Sequence, residues 1–255
     1  MLAVAVINVN AQNPAATNRF VQTGDEDPEP FGMRWAAMNS FPKKHYLVYD
    51  SNDVGNVYKE NVNPQNCIFV ISKRDFRIYV YEDTSNGREL VAHFPVCLAR
   101  NIGDKFRSGD GTTPVCVKDR NGNYIPFTIS QIQPASSWRH DFKDGRGNIL
   151  AYGDWFMRLQ LNSHRVASNR SIGIHGSSSN AISVPGRDSE GCIRLRNNDL
   201  NMLRQYARVG TKVIIKPEDA KKLPWELEAQ RKLGNRYKRP QQGFVLPEGG
   251  MWVNK

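Results

Sequence analysis

The stretch CIFVISKRDFRIYVYEDTSNGRELVAHFPVCLA, residues 67–99, decides the fold class. It contains three runs rich in apolar and β-branched residues, separated by short polar turns, which is typical of consecutive strands. In the second run, Phe76, Ile78 and Val80 fall on one face of a strand and the residues between them fall on the other. Asn86-Gly87 favours a tight hairpin before the third run. These features predict a β-meander.

The remainder of the chain adds more strands and a helix. The helix is predicted at 197–210, with Asn197 or Asn198 as its cap, an apolar stripe at 200, 203 and 207, and Gly210 as its stop. Further strands are predicted at 126–133, 150–161, 171–176 and 211–217. The fold class is therefore α+β and mostly β, a sandwich or mixed sheet with one or two short helices.

Composition is that of an ordinary globular protein. Of 255 residues, 39% are hydrophobic, 10% aromatic and 24% charged. The net charge of +10 suits an anionic partner, such as nucleic acid, a membrane surface or a cell-wall polymer, or simply reflects a high isoelectric point. The densest basic stretch, 221–239, is broken by Pro and Glu and lacks the pattern of a nucleic-acid module, so we expect no nucleic-acid partner. We also expect no transmembrane segment, because no run of about 18 apolar residues occurs.

Four segments are predicted along the chain. Residues 1–11 are short, mostly apolar and end in Val-Asn-Ala, which indicates a truncated signal segment or, alternatively, a short strand. Residues 12–65 form an irregular N-terminal extension, and 66–217 form the core domain. Residues 218–255 form a basic tail that either packs as irregular chain or carries an accessory helix.

The candidate chemistry lies in residues 174–195, IHGSSSNAISVPGRDSEGCIRL. A thiol attacks acyl carbons as a thiolate, and its ordinary pKa of ~8.5 requires help from a base. An imidazole is best suited to take that proton, so Cys192 is the candidate nucleophile and His175 the candidate base. Two alternatives are a polar loop with an inert thiol and a structural histidine, or a metal site of His175, Glu190 and Cys192, whose spacing lacks a paired ligand motif.

Small residues around these two support the catalytic interpretation. Gly191 lets the chain turn tightly, so that the amides of Gly191 and Cys192 can form an oxyanion hole. Either Ser189 or the carbonyl of Gly176 would orient the imidazole of His175, as a third group does in a catalytic triad. Gly176 also allows substrate to approach closely.

These residues resemble the active-site signature of the L,D-transpeptidase catalytic domain, the YkuD-like family. Its pattern is His-Gly, a loop, then Ser/Thr-x-Gly-Cys, an apolar residue, and Arg or Asn. Asp110, Thr113 and Pro114 are similar to an upstream segment of that family, and the resemblance spans 66–217. Many members carry a second His where this chain has Glu190. The signature itself is matched by His175, Gly176, Ser189, Glu190, Gly191, Cys192, Ile193 and Arg194.

The resemblance implies acyl transfer on peptidoglycan stem peptides through a thioester, without metal or cofactor, by an exported monomer of the periplasm or cell envelope. The alternatives are an L,D-carboxypeptidase or a peptidoglycan–protein amidase on the same scaffold, or a non-catalytic wall-binding module. Arg194 would bind a stem carboxylate or form a structural ion pair. Tyr152 and Trp155 would line the substrate groove or belong to the core. Glu190 should point away from the thiol or contact the substrate or Arg194, because a facing carboxylate would raise the thiol pKa.

The other three cysteines carry no comparable motif. Cys97 and Cys116 are expected to be buried thiols or a cross-strand pair, and Cys67 is uninformative. All four cysteines are spaced too widely for a redox or metal-binding dithiol.

Overall fold

A computed structural model describes residues 53–143, 145, 147–169, 171–178 and 183–238, and the backbone of three strands at 19–23, 45–49 and 244–245. The signal segment predicted at 1–11 lies outside the described residues. The helices are α1 (Asn197–Arg204) and α2 (Pro224–Leu233), and 3-10 turns occur at Pro64–Asn66 and Gly234–Arg236. The strands are β1 (Arg19–Thr23), β2 (His45–Tyr49), β3 (Asn56–Val57), β4 (Cys67–Ser72), β5 (Arg77–Thr84), β6 (Gly87–Pro95), β7 (Cys97–Ala99), β8 (Phe127–Pro134), β9 (Arg139–Asp141), β10 (Asn148–Leu150), β11 (Trp155–Gln160), β12 (Gly173–His175), β13 (Gly186–Ser189), β14 (Ile193–Arg194), β15 (Lys212–Lys216) and β16 (Phe244–Val245).

Eleven of the described strands form one mixed sheet in the order β13-β7-β14-β12-β11-β8-β15-β4-β5-β6-β3. The pairs β13–β7, β12–β14 and β15–β4 are parallel. The predicted meander is confirmed as β4–β5–β6, and its hairpin pairs Thr84 with Gly87 across the predicted turn. The mixed-sheet form of the predicted α+β class is therefore confirmed. Two smaller sheets, β1-β2-β16 and β9-β10, stand apart in the pairing.

The alternation predicted for β5 divides its side chains between two apolar clusters. Ile78 and Val80 lie in the larger cluster, which also receives Leu200 and Leu203 from α1. Tyr79 and Tyr81 lie in a smaller cluster on the other face. Both faces of the meander are thus buried, as a central strand requires.

The smaller cluster is covered by α2, so the basic tail does carry an accessory helix. Ala229 of α2 is buried in this cluster. Trp225 sets its ring edge-on to Tyr81, with the ring centroids 4.9 Å apart. In the first turn of α2, the Glu226 carboxylate accepts a hydrogen bond from the Leu223 amide at 2.7 Å. It also forms an ion pair with buried Lys216 at 2.6 Å.

Three local predictions were wrong. The strand predicted over 150–161 is interrupted, because Gly153 adopts a φ of +67° and a Cβ there would lie 2.7 Å from the Gly176 Cα. The cap of α1 is Arg196 and makes no side-chain cap bond. Asn197 instead accepts the Asp154 amide at 2.8 Å, which ties the interrupted segment to the start of the helix. The helix also ends at Arg204, before the predicted stop at Gly210.

Candidate active site

Parallel pairing of β12 with β14 brings the two candidate catalytic residues to neighbouring strands. The register places Ile174 beside Ile193 and His175 beside Arg194. Cys192 immediately precedes β14, so the loop does return the cysteine to the strand that carries the histidine. Arg194, the residue paired with His175, acts electrostatically on both His175 and Cys192, so the two candidate residues lie around the same guanidinium.

His175 is held as a neutral imidazole with one nitrogen fixed. Its ring is 3% exposed, stacks on Phe156 at 5.8 Å, and donates from Nδ1 to the Gly176 carbonyl at 2.7 Å. Because a carbonyl only accepts, Nδ1 carries the proton and Nε2 carries the lone pair. Burial and the positive charge of Arg194 lower the His175 pKa to about 3. The imidazole is therefore neutral at pH 7, with its lone pair at Nε2.

Cys192 is half-buried and is a thiol rather than a thiolate at rest. Burial raises its pKa, while the Gly173 amide and the positive charges of Arg194 and Lys105 lower it in part. The thiol donates to the Ser171 carbonyl at 3.3 Å. A neutral thiol near a neutral imidazole is suited to general-base transfer as the sulfur attacks, not to a preformed ion pair.

The nucleophile loop is shaped by Ser189 and Gly191. The Ser189 hydroxyl donates to the Cys192 carbonyl at 2.6 Å and accepts the Gly191 amide at 3.2 Å. Gly191 has a φ of +150°, and a Cβ there would lie 2.9 Å from Ile172 Cδ1. Of the two groups proposed to orient His175, the structure therefore places the Gly176 carbonyl on the ring and Ser189 on the loop.

Glu190 turns toward a second histidine and not toward Arg194. Its carboxylate lies 3.0 Å from Nε2 of His140, which belongs to the β9–β10 hairpin. Glu190 remains close enough to raise the Cys192 pKa, although burial is the larger cause. Of the outcomes expected for Glu190, contact with Arg194 is not the one observed, because the carboxylate pairs with His140.

Arg194 takes the ion-pair alternative. Its guanidinium is 1% exposed and contacts the Asp188 carboxylate at 3.1 Å and the Ser183 hydroxyl at 2.8 Å. Nη1 also lies 3.9 Å from the thiol of Cys97. In this position Arg194 supplies positive charge beneath the site, and a substrate carboxylate would have to enter a buried network to reach it.

The two aromatic residues considered for the substrate groove, Tyr152 and Trp155, lie in different places. The Tyr152 ring is half-buried and lies 4.9 Å from the His175 ring, at the site. Trp155 packs against the larger apolar cluster, under the guanidinium of Arg204, and belongs to the core.

Lys105 was missed in the sequence. It is 2% exposed, pairs with Asp110 at 2.7 Å, and lies 3.5 Å from where a Cβ of Gly191 would stand. Asp110 also accepts the amides of Phe106, Arg107 and Thr112, so its pKa is well below the ordinary range despite burial. A buried lysine has no sequence signal, because Lys in a polar, Gly-rich segment ordinarily indicates a solvated loop.

In the part of the chain that the structure describes, no group of three or more His, Cys, Asp or Glu side chains gathers as a metal site. None of the described helices has the length and apolar character needed to cross a membrane.

Comparisons with known proteins point to one family. A family model described as the L,D-transpeptidase catalytic domain (YkuD) matches residues 67–215, more than half of the chain. Similar solved structures include Bd1075 of Bdellovibrio bacteriovorus, at 15% identity over 72% of this chain and 58% of that one, with a TM-score of 0.43. Others are the helical cell shape determining protein Pgp2 of Campylobacter jejuni (18%, 69% and 55%, TM-score 0.43) and an L,D-transpeptidase of Mycobacterium smegmatis (14%, 59% and 58%, TM-score 0.39).

The chain spans between 55% and 58% of the length of these three structures. No curated protein matched it.

Proposed function

Because this chain belongs to the L,D-transpeptidase catalytic-domain family, we propose that it is a peptidoglycan L,D-transpeptidase with Cys192 as nucleophile and His175 as base. The observation that carries the proposal is the β12–β14 register, which sets His175 beside Arg194, two residues after Cys192. The imidazole has Nδ1 fixed on the Gly176 carbonyl and Nε2 left as the basic nitrogen.

Acylation begins with both partners neutral. Sγ of Cys192 attacks the carbonyl of the stem-peptide residue at its L-centre while the thiol proton moves to Nε2 of His175. The amide of Cys192 is the proposed oxyanion donor. Gly191 was predicted as the second donor, and its amide is bonded to Ser189 in this structure, so it would have to exchange that bond to contribute.

Collapse of the tetrahedral intermediate releases the terminal D-residue. The C–N bond breaks, the leaving nitrogen takes the proton from His175, and the acyl group stays on Cys192 as a thioester. The amine of a second stem peptide, or of a free amino acid, then attacks the thioester and regenerates the thiol. Positive charge from Arg194 and Lys105, both of which lower the Cys192 pKa, favours each step in which the sulfur carries negative charge.

The proposed place of action is the cell envelope, outside the cytoplasm, where the substrate lies. A net charge of +10 favours association with an anionic wall polymer and supports this location.

Product analysis tests the proposal. Purified protein and a disaccharide-tetrapeptide would be incubated, and the products identified by mass spectrometry. The wild type should give cross-linked or exchanged stem peptides, and Cys192→Ala should give none while remaining folded. Cys67→Ala is the matched control, because Cys67 is a buried thiol of β4 and should leave turnover intact. Turnover by Cys192→Ala at the wild-type rate would overturn the mechanism.

A further inference from the structure

A second imidazole–carboxylate pair lies beside the nucleophile loop. His140 Nε2 and Glu190 Oε2 are 3.0 Å apart, although the residues come from the β9–β10 hairpin and from the bend after β13. Because a carboxylate only accepts, His140 donates from Nε2 in this pair, which leaves Nδ1 as its second ring nitrogen. A base held by a carboxylate is the arrangement that orients a catalytic histidine elsewhere. The side chains are 33% and 48% exposed, so a solute can reach both.

The pair and the His175 side of the site meet at the ring of Tyr152. The His140 and Tyr152 rings are 6.3 Å apart and nearly perpendicular, and the Tyr152 and His175 rings are 4.9 Å apart. Burial is the main cause of the raised Tyr152 pKa, and the charges of Glu190 and of Cys192 in its thiolate form add to it, so both of those groups act on the same ring. Both histidines therefore lie next to the Tyr152 ring, and His140 is close enough to His175 to contribute to the lowering of its pKa.

The charge of Glu190 opposes the first half of the reaction. A carboxylate two residues from the nucleophile disfavours a negative sulfur. The same charge favours the second half, in which the acceptor approaches that sulfur as an amine that is cationic in water. Attack then requires the nitrogen to be neutral, and so requires a nearby group that can take a proton.

We propose that Glu190 binds the ammonium form of the acceptor and that His140 takes the proton it must lose. The neutral nitrogen then attacks the thioester carbon, the new C–N bond forms and the C–S bond breaks. The nitrogen loses its second proton to solvent, and the sulfur is reprotonated to the thiol, so the step is balanced without an oxidant or reductant. This inference rests on the proposed function, because it concerns the fate of the thioester.

The test measures how the thioester divides between transfer and hydrolysis. Enzyme, disaccharide-tetrapeptide and deuterium-labelled D-alanine would be incubated, and the ratio of labelled tetrapeptide to tripeptide determined by mass spectrometry. This ratio does not depend on the rate at which the thioester forms. Glu190→Gln and His140→Gln should each lower it about tenfold, the size expected when a hydrogen bond to a charged group is lost. Asp141→Asn is the matched control. It removes a carboxylate of the same hairpin, and that carboxylate pairs with Lys143 at 2.8 Å.

A neutral acceptor separates recognition of charge from general damage. With hydroxylamine, which is largely uncharged near neutral pH, Glu190→Gln should keep the wild-type ratio of hydroxamate to tripeptide. A wild type that transfers, with both variants retaining its ratio for D-alanine, would overturn the inference and leave the proposed function standing. An equal loss with D-alanine and hydroxylamine would also overturn it. A wild type that forms no thioester would overturn both proposals.

Discussion

His93 and His175 are buried on different parts of the same sheet, and the pKa of each is lowered to about 3. Burial is the largest cause in both cases. His93 lies in the meander, where Nε2 contacts the Tyr58 hydroxyl and the Lys238 carbonyl, each at 2.9 Å. His175 lies on β12, where Nδ1 is held by the Gly176 carbonyl and the nucleophile loop runs alongside.

The comparison shows that a strongly shifted pKa does not by itself identify a base. Both imidazoles are neutral at pH 7 for the same reason, loss of hydration. What distinguishes His175 is its place on β12. Its partner across the strand pair is Arg194, and the half-buried thiol of Cys192 lies two residues before Arg194, next to Gly191. What His93 contacts is a set of tyrosine rings, among them Tyr79 at 5.6 Å and Tyr237 at 6.1 Å between ring centroids. Substitutions at the two histidines should therefore differ in their effects on turnover, stability and thiol reactivity.

Matched glutamine substitutions should separate the two histidines in turnover. His175→Gln removes the basic nitrogen beside the thiol and should lower kcat/KM for transfer by ~10³-fold, within the usual range for loss of a general base. His93→Gln should leave kcat/KM within about twofold, since Nε2 of His93 is bonded to the Tyr58 hydroxyl and the Lys238 carbonyl, away from the candidate site. Steady-state rates with a disaccharide-tetrapeptide would measure both. Equal losses of kcat/KM in the two variants would contradict the assignment of His175, and not His93, as the base.

The free energy of unfolding should depend strongly on His93, which has no proposed part in turnover. His93→Ala leaves a cavity among packed aromatic rings and should lower the free energy of unfolding by about 3 kcal/mol. Arg120→Ala, at an exposed position, should change it by less than ~0.5 kcal/mol. Urea unfolding followed by circular dichroism would give both values. A loss below about 1 kcal/mol in His93→Ala would mean that this ring is not an important part of the core.

Acid should expose the cost of burying His93 in neutral form. The unfolded chain binds a proton at this residue near pH ~6.5, whereas the folded chain does not until about pH 3. The unfolded state therefore binds more protons in this window, and stability falls as pH falls through it. Between pH 6.5 and pH 5, wild type should lose about 1.5 kcal/mol more than His93→Gln. Parallel pH dependences in urea unfolding would contradict the buried, neutral assignment.

Native-state alkylation gives the smallest expected difference. Iodoacetamide should label Cys192 before Cys67, Cys97 and Cys116, which are buried. His175→Ala should slow labelling at neutral pH by about fivefold, or ~1 kcal/mol, because the thiol loses the group that takes its proton. Peptide mapping would locate and time the label. An unchanged rate would argue against the Cys192–His175 pair, provided that His93→Gln also labels at the wild-type rate.

The meander was predicted from the alternation of apolar residues, and α1 from its apolar stripe. Strands β4 to β6 are long enough for alternation to be visible, and Leu200, Leu203 and Ala207 are all buried as the stripe predicted. The strands that carry the candidate site could not be predicted in this way, because β12 has three residues and β14 has two. Runs that short have no recognisable period, so their pairing could be expected only from the resemblance.

The partners of paired charged side chains were not predicted for a related reason, although an ion pair was one of the alternatives for Arg194. Arg194–Asp188, Lys105–Asp110 and His140–Glu190 are charges whose burial or pairing depends on how loops return to the sheet. Nothing in local sequence distinguishes a charged residue that is buried with a partner from one in a solvated loop. The carbonyl of Gly176 was foreseen as one of two candidates for orienting His175, since a backbone acceptor next to the ring needs no long-range information.

Intact-protein mass spectrometry at early reaction times tests directly whether Cys192 forms a thioester with the stem peptide. Wild-type protein incubated with a disaccharide-tetrapeptide should gain the mass of the stem peptide minus its terminal D-residue, and peptide mapping should place that adduct on Cys192. Hydroxylamine should release it, as expected of a thioester. A folded protein with an alkylatable Cys192 that gains no mass and yields no product would contradict the proposed acyl-transfer mechanism.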